Sequence, residues 1–159
     1  MNYLLEMSDI YSNILLESSP PSFNYDEEDG YVRITMITNG IKVGEVVAQD
    51  MSDAYFMFED YMDEESYNKI FPSDNFLRVE DLTVNKKFQS SGYGRMLMGK
   101  VIEYAKNNHF DTIYLNASPM GHDGLPINQL IKFYESLGFS EIPNIQQHPN
   151  NREMIMYIK

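Results

Sequence analysis

Gln89-Ser90-Ser91-Gly92-Tyr93-Gly94 stands between a strand-like run carrying Val79, Leu82 and Val84 and a long helical pattern that begins near Tyr93. A strand, a glycine-bearing loop and a helix start form an anion site. The first N–H groups of a helix have no intrahelical acceptor, and the aligned peptide dipoles add partial positive charge there. Phosphate or pyrophosphate suits such a site. Two glycine fingerprints do not fit. Dinucleotide binders need G-x-G-x-x-G, and Leu97 occupies the third glycine position. A P-loop needs a lysine and a hydroxyl residue after its last glycine, and Arg95-Met96 follow Gly94. On spacing alone a plain strand-turn-helix stays open, since glycine also ends strands for steric reasons.

The neighbouring segments supply the frame for this loop. From Tyr93 to Asn108, Leu97, Val101, Tyr104 and Ala105 share one face and Lys100, Glu103 and Lys106 another, which predicts a helix packed on a sheet. Thr112 to Asn116 reads as a short buried strand, so strand-helix-strand implies a parallel pair. Pro119 to Pro126 reads as a loop, Ile127 to Leu137 as a helix ended by Gly138, and Phe139 to Ile142 and Glu153 to Ile158 as closing strands. Upstream, residues 2–17 have near-helical apolar spacing, ended by Ser18-Ser19-Pro20-Pro21. Asp26 to Gly30 reads as a charged turn. Two strand-like runs, Tyr31 to Ile37 and Ile41 to Val47, flank Asn39-Gly40, a hairpin signal because both central positions of a type I′ turn need positive φ. Between Asp50 and Asn75, aromatics from Tyr55 to Phe71 alternate with carboxylates. This segment reads as an amphipathic helix with an acidic face, or as a lid or cleft wall that recognises cations.

Composition narrows the function classes. The chain has 159 residues, 43% hydrophobic and 13% aromatic, which predicts one globular domain over residues 1–159. There are no cysteines, which excludes disulfides, thiolate metal sites and cysteine nucleophiles. His109, His122 and His148 lack metal-ligand spacing, so no metal is expected. The N-terminus lacks a basic region, Glu6 and Asp9 interrupt its apolar residues, and no apolar run approaches the length of a membrane span. A soluble, cytoplasmic protein is expected, without membrane binding. Net charge is −12, with −13 in residues 1–75 and +1 in the remainder. Direct nucleic-acid binding is therefore not expected, because phosphate neutralisation needs clustered cations. Lys86, Lys87 and Arg95 nevertheless flank the glycine loop.

The ordered set of Leu82-x-Val84, Gln89-x-x-Gly92-x-Gly94, a helix, a strand ending at Asn116, and Phe133-Tyr134-Glu135-Ser136-Leu137-Gly138-Phe139 resembles the GNAT family of acyl-CoA-dependent N-acetyltransferases. The resemblance spans roughly residues 76–142. It implies an α/β (α+β) fold: a mixed, mostly antiparallel sheet with a central splayed parallel strand pair, flanked by helices. It also implies an acetyl-CoA co-substrate, whose pantetheine arm lies in the splay. The implied contacts are Leu82, Thr83, Val84, Gln89, Ser90, Ser91, Gly92, Tyr93, Gly94, Arg95, Asn116 and Asn128. Glu80 is the expected general base and Asp81 the runner-up, because a bulge would reverse which side chain faces the cleft. Tyr134 is the expected acid for the departing thiolate. The expected partner is a cationic amine, either a small molecule or a basic protein segment, and a homodimer is the candidate assembly. A non-catalytic acyl-CoA-binding or interaction module is the alternative.

Three departures from the family pattern stand out. Ser91 replaces the usual Arg or Lys before the first glycine, and Ile127 stands where many members have asparagine, with Asn128 one step off. No strand is evident ahead of the N-terminal helical pattern, where the family commonly has one.

Overall fold

The computed structural model describes residues 20–52, 54–119 and 124–159. The helix expected over residues 2–17, with whatever precedes it, lies outside these residues. The described chain forms a seven-stranded sheet in the order β1-β2-β3-β4-β5-β7-β6. The strands are β1 (Ser22–Glu28), β2 (Tyr31–Thr38), β3 (Ile41–Ser52), β4 (Asn75–Val84), β5 (Thr112–Ala117), β6 (Ser140–Glu141) and β7 (Arg152–Tyr157). Among the described residues three α-helices accompany them: α1 (Glu64–Ile70), α2 (Tyr93–Asn107) and α3 (Ile127–Ser136). Every neighbouring pair is antiparallel except β4 and β5.

The first three strands form two consecutive hairpins. Asn39 and Gly40 turn with φ of 50° and 74°, as the Asn-Gly pair predicts. Asp29 and Gly30 do the same at 50° and 80°. Asp26 to Glu28, expected in a charged turn, instead belong to β1 and pair with Arg33 to Tyr31 of β2. As an edge strand, β1 carries acidic residues at little cost, and its pairing with β2 decides its conformation.

Both faces of the sheet are covered. On one, Leu97, Met98, Val101 and Ala105 of α2 pack on Ile34, Val46, Leu77 and Ile113. On the other, Phe58, Tyr67 and Phe71 cover Phe76, Tyr114 and Ile155, with Phe71 and Phe76 rings 4.6 Å apart. This second layer comes from residues 54–71, which do not form the single helix expected there. A 3-10 turn (Tyr55–Met57) precedes α1, which is N-capped by Asp63 accepting from the Ser66 N–H at 2.8 Å. The aromatic series thus serves a turn and a short helix rather than one periodic face. Phe56 and Tyr61 stay exposed.

Gly44 has a steric role. A Cβ there would lie 2.6 Å from the Thr83 carbonyl oxygen and 3.1 Å from Leu97 Cδ1. Its absence lets α2 pack where β3 and β4 run side by side.

Candidate active site

The β4/β5 ladder runs from Phe76 opposite Thr112 to Val79 opposite Leu115 and stops. Beyond it, β4 continues along β3 to Val84 while β5 continues along β7 to Ala117. The two parallel strands part at their C-terminal ends, leaving groups on the facing edges without ladder partners. A cleft of about 860 Å³ opens at this gap.

The register shifts where β4 enters the cleft. Val47 pairs with Asp81 and Ala48 with Val79, so Glu80 is the extra residue of a bulge. Both carboxylates line the cleft with different partners. Glu80 Oε1 lies 3.3 Å from Arg78 Nε, and Asp81 accepts from Thr83 Oγ1 at 3.0 Å. Leu82, Thr83 and Val84 line the same wall.

Below β4, the 3-10 turn Lys86–Phe88 leads into the glycine loop. Gln89 Nε2 donates to the Val84 carbonyl at 3.0 Å, fastening the loop to the strand end. Ser90 and Gly92 both adopt left-handed backbone, at φ of 64° and 83°. Gly92 is the N-cap of α2 and supplies no side-chain hydrogen bond, so the first N–H groups of the helix are uncapped by side chains. A Cβ on Gly92 would meet nothing within 4 Å, so open space lies beside this cap. Gln89, Ser90, Gly92, Tyr93, Gly94 and Arg95 all line the cleft, whereas Ser91 does not. Arg95 also fastens α2 to α3: it donates to Ser136 Oγ at 2.6 Å and lies over the Phe133 ring at 5.9 Å.

From α3, Tyr134 reaches the cleft and is 8% exposed. Its ring lies edge-on to Phe133 at 5.0 Å and to Phe139 at 5.8 Å. Among the described residues its hydroxyl has no hydrogen-bond partner. Burial, with a further contribution from the Asp81 charge, pushes its pKa up to about 12. The phenol therefore holds its proton throughout the neutral range. Phe133, from the same motif, and Leu130, which was not singled out from sequence, add apolar lining on the same helix, and Leu130, Phe133 and Tyr134 follow helical spacing.

Asn116 lines the cleft from β5, and its amide donates to Glu153 Oε1 at 2.6 Å. Asn128 is exposed and is not a lining residue.

A model of the acetyltransferase (GNAT) family matches residues 6–139. This chain belongs to the GNAT family. N-acetylaspartate synthetase of Xenopus tropicalis is 28% identical over 78 residues, 47% of this chain and 26% of that protein. The chain thus spans about a quarter of that relative's length. The ribosomal-protein-S18-alanine N-acetyltransferase of Escherichia coli aligns with a TM-score of 0.55 at 17% identity, over 84% of this chain and 72% of that one. A GNAT acetyltransferase of Elizabethkingia anophelis, solved with acetyl-CoA bound, aligns with a TM-score of 0.53 at 14% identity, over 96% and 82%. At these identities the likeness to the solved structures is one of fold. The seven-stranded mixed sheet with its parallel β4/β5 pair is the GNAT-like α/β fold. Among the described residues no helix is long and apolar enough to cross a membrane.

Proposed function

We propose that this protein is an acetyl-CoA-dependent N-acetyltransferase that moves an acetyl group from a CoA thioester to a primary amine. One observation carries the proposal. A single cleft joins the uncapped start of α2, the gap between the parted strands and the hydroxyl of the largely buried Tyr134, which has no hydrogen-bond partner among the described residues. The left-handed cap at Gly92 and the open space beside it fit a diphosphate held by main-chain N–H groups. Lys86 and Lys87 add local positive charge, and the apolar lining from Leu82, Leu130 and Phe133 suits a pantetheine arm.

An acetyl thioester supplies an activated acyl carbon and a thiolate leaving group. Main-chain N–H groups near Leu82 and Val84 donate to its carbonyl oxygen and stabilise the charge that develops there. A primary amine is mostly protonated at neutral pH and must lose a proton before it attacks. Glu80 takes that proton through water, with Asp81 as the second candidate. As the new C–N bond forms and the C–S bond breaks, Tyr134 donates its proton to the departing sulfur.

The acceptor is a small polyamine or aminoglycoside-like amine, or a lysine or N-terminal amine on a protein. The charge of −13 over residues 1–75 favours a cationic acceptor in each case. Glu80 is already engaged by Arg78 and so less free to meet an amine, which favours a second reading: a non-catalytic acyl-CoA-binding or interaction module. Thiol release from acetyl-CoA across an amine panel, with wild type, Tyr134→Phe and Glu80→Gln, separates the two. Turnover that falls in both variants supports the transferase. Acetyl-CoA binding without turnover supports the module, and turnover unaltered in both variants removes the residue roles.

A further inference from the structure

Glu153 on β7 stands directly across from Asn116 of β5, one strand over from the gap. Its Oε1 accepts from Asn116 Nδ2 at 2.6 Å, and its Oε2 accepts from the Tyr114 hydroxyl. Tyr114 is 4% exposed, and burial followed by the Glu153 charge raises its pKa, so the phenol remains a donor. Both donors are neutral. Of the other sheet carboxylates, Glu45, Glu80 and Glu141 each lie within 4.0 Å of an arginine or lysine nitrogen, whereas Asp26, Glu27, Glu28, Asp50 and Asp81 have no such ion pair among the described residues. Glu153 has no such cation among the described residues. A half-buried carboxylate held by two neutral side chains, with no cation nitrogen of the described residues within 4.0 Å and the Arg78 charge acting on its partner Tyr114, has room for a cation from outside the chain. Each oxygen keeps a lone pair for a second donor.

We propose that Glu153 is a specificity-determining residue that binds the second ammonium group of a diamine acceptor. The proposal rests on the transferase reading, because it assumes that the first amine reacts at the gap beside Tyr134. Neighbouring strands are about 5 Å apart, so a group on Glu153 lies about 5 to 8 Å from a nitrogen at the gap. Short aliphatic diamines span that distance. Glu153 does not itself line the cleft; Asn116, which does, is bonded to it and links the two positions.

The test compares 1,4-diaminobutane with 1-aminopentane, which matches it in length but carries one cation. Calorimetric titration of each into wild type, Glu153→Gln and Tyr114→Phe, with CoA present, reads binding without turnover. Wild type is expected to prefer the diamine by about 10- to 100-fold, the scale of one charge-assisted hydrogen bond. Glu153→Gln should erase the preference, and Tyr114→Phe, which removes one orienting donor, should narrow it. Equal affinity for the two amines in wild type, binding of neither, or a preference that survives in folded Glu153→Gln overturns the proposal. Thiol release measured in parallel with acetyl-CoA separates the two failures. Diamine preference without thiol release removes the transferase reading, whereas thiol release without diamine preference removes only the role of Glu153.

Discussion

At the scale of the residue, Tyr134 couples stability to chemistry. Its hydroxyl is kept protonated and has no partner among the described residues, the state a proton donor to sulfur requires. Tyr134→Phe is expected to lower kcat about 100-fold while leaving the KM for acetyl-CoA within about threefold, as for loss of a general acid. Steady-state thiol release checks this. The raised pKa also fixes the sign of a stability effect. Below pH 10 both folded and unfolded chains keep the proton and the contribution is full. Between pH 10 and 12 the unfolded chain releases it first, so stability falls as pH rises. Denaturant titrations of wild type and Tyr134→Phe should therefore diverge by about 2 to 3 kcal/mol across that interval, wild type losing more. Tyr134 was legible in the sequence through its distance from Gly138-Phe139. The partners of Glu80 and Asp81 were not, because they depend on a bulge set by how β3 pairs with β4. Glu80→Gln and Asp81→Asn compared for kcat against pH should show the larger loss at Glu80. A larger loss at Asp81 transfers the base role.

At the scale of the element, most strands and α2 were legible, whereas β1 and residues 50–75 were not. Asn39-Gly40 demands positive φ at both positions, and the apolar face from Leu97 to Ala105 demands a covered helix, so the hairpin and α2 follow from residue order and spacing alone. β1 lacks such a signal, because an exposed edge strand has no buried face to impose alternation. Residues 50–75 misled because β3 runs on to Ser52 and the aromatics divide between a turn and α1. Gly44 carries no turn signal either, and its constraint appears only when β4 and α2 are both in place. Gly44→Ala is expected to destabilise the fold by about 1 to 3 kcal/mol, read from denaturation midpoints, since the clash is with backbone. Gly92→Ala meets no atoms but must hold left-handed backbone, a cost of about 1 to 2 kcal/mol. Weaker acetyl-CoA binding in Gly92→Ala, beyond what its lower stability explains, is expected if that cap forms the anion site.

At the scale of the whole molecule, the chain divides its charge as its proposed chemistry does. The strongly acidic part, residues 1–75, supplies β1 to β3 and α1, and the nearly neutral remainder supplies the glycine loop, both parted strand ends and Tyr134. A cationic acceptor and an anionic acyl carrier are thus favoured by different parts of one sheet. A ligand that binds only the folded state raises its stability by about 2.7 kcal/mol at a hundred times its Kd. The most direct test of the central claim is thermal denaturation of the wild-type protein with acetyl-CoA and, separately, with acetyl-pantetheine, which has the same thioester arm and no diphosphate. Acetyl-CoA is predicted to raise the midpoint by several degrees, and acetyl-pantetheine at equal concentration to leave it nearly unchanged. No shift with acetyl-CoA, or equal shifts with both, would contradict a diphosphate grip at the start of α2.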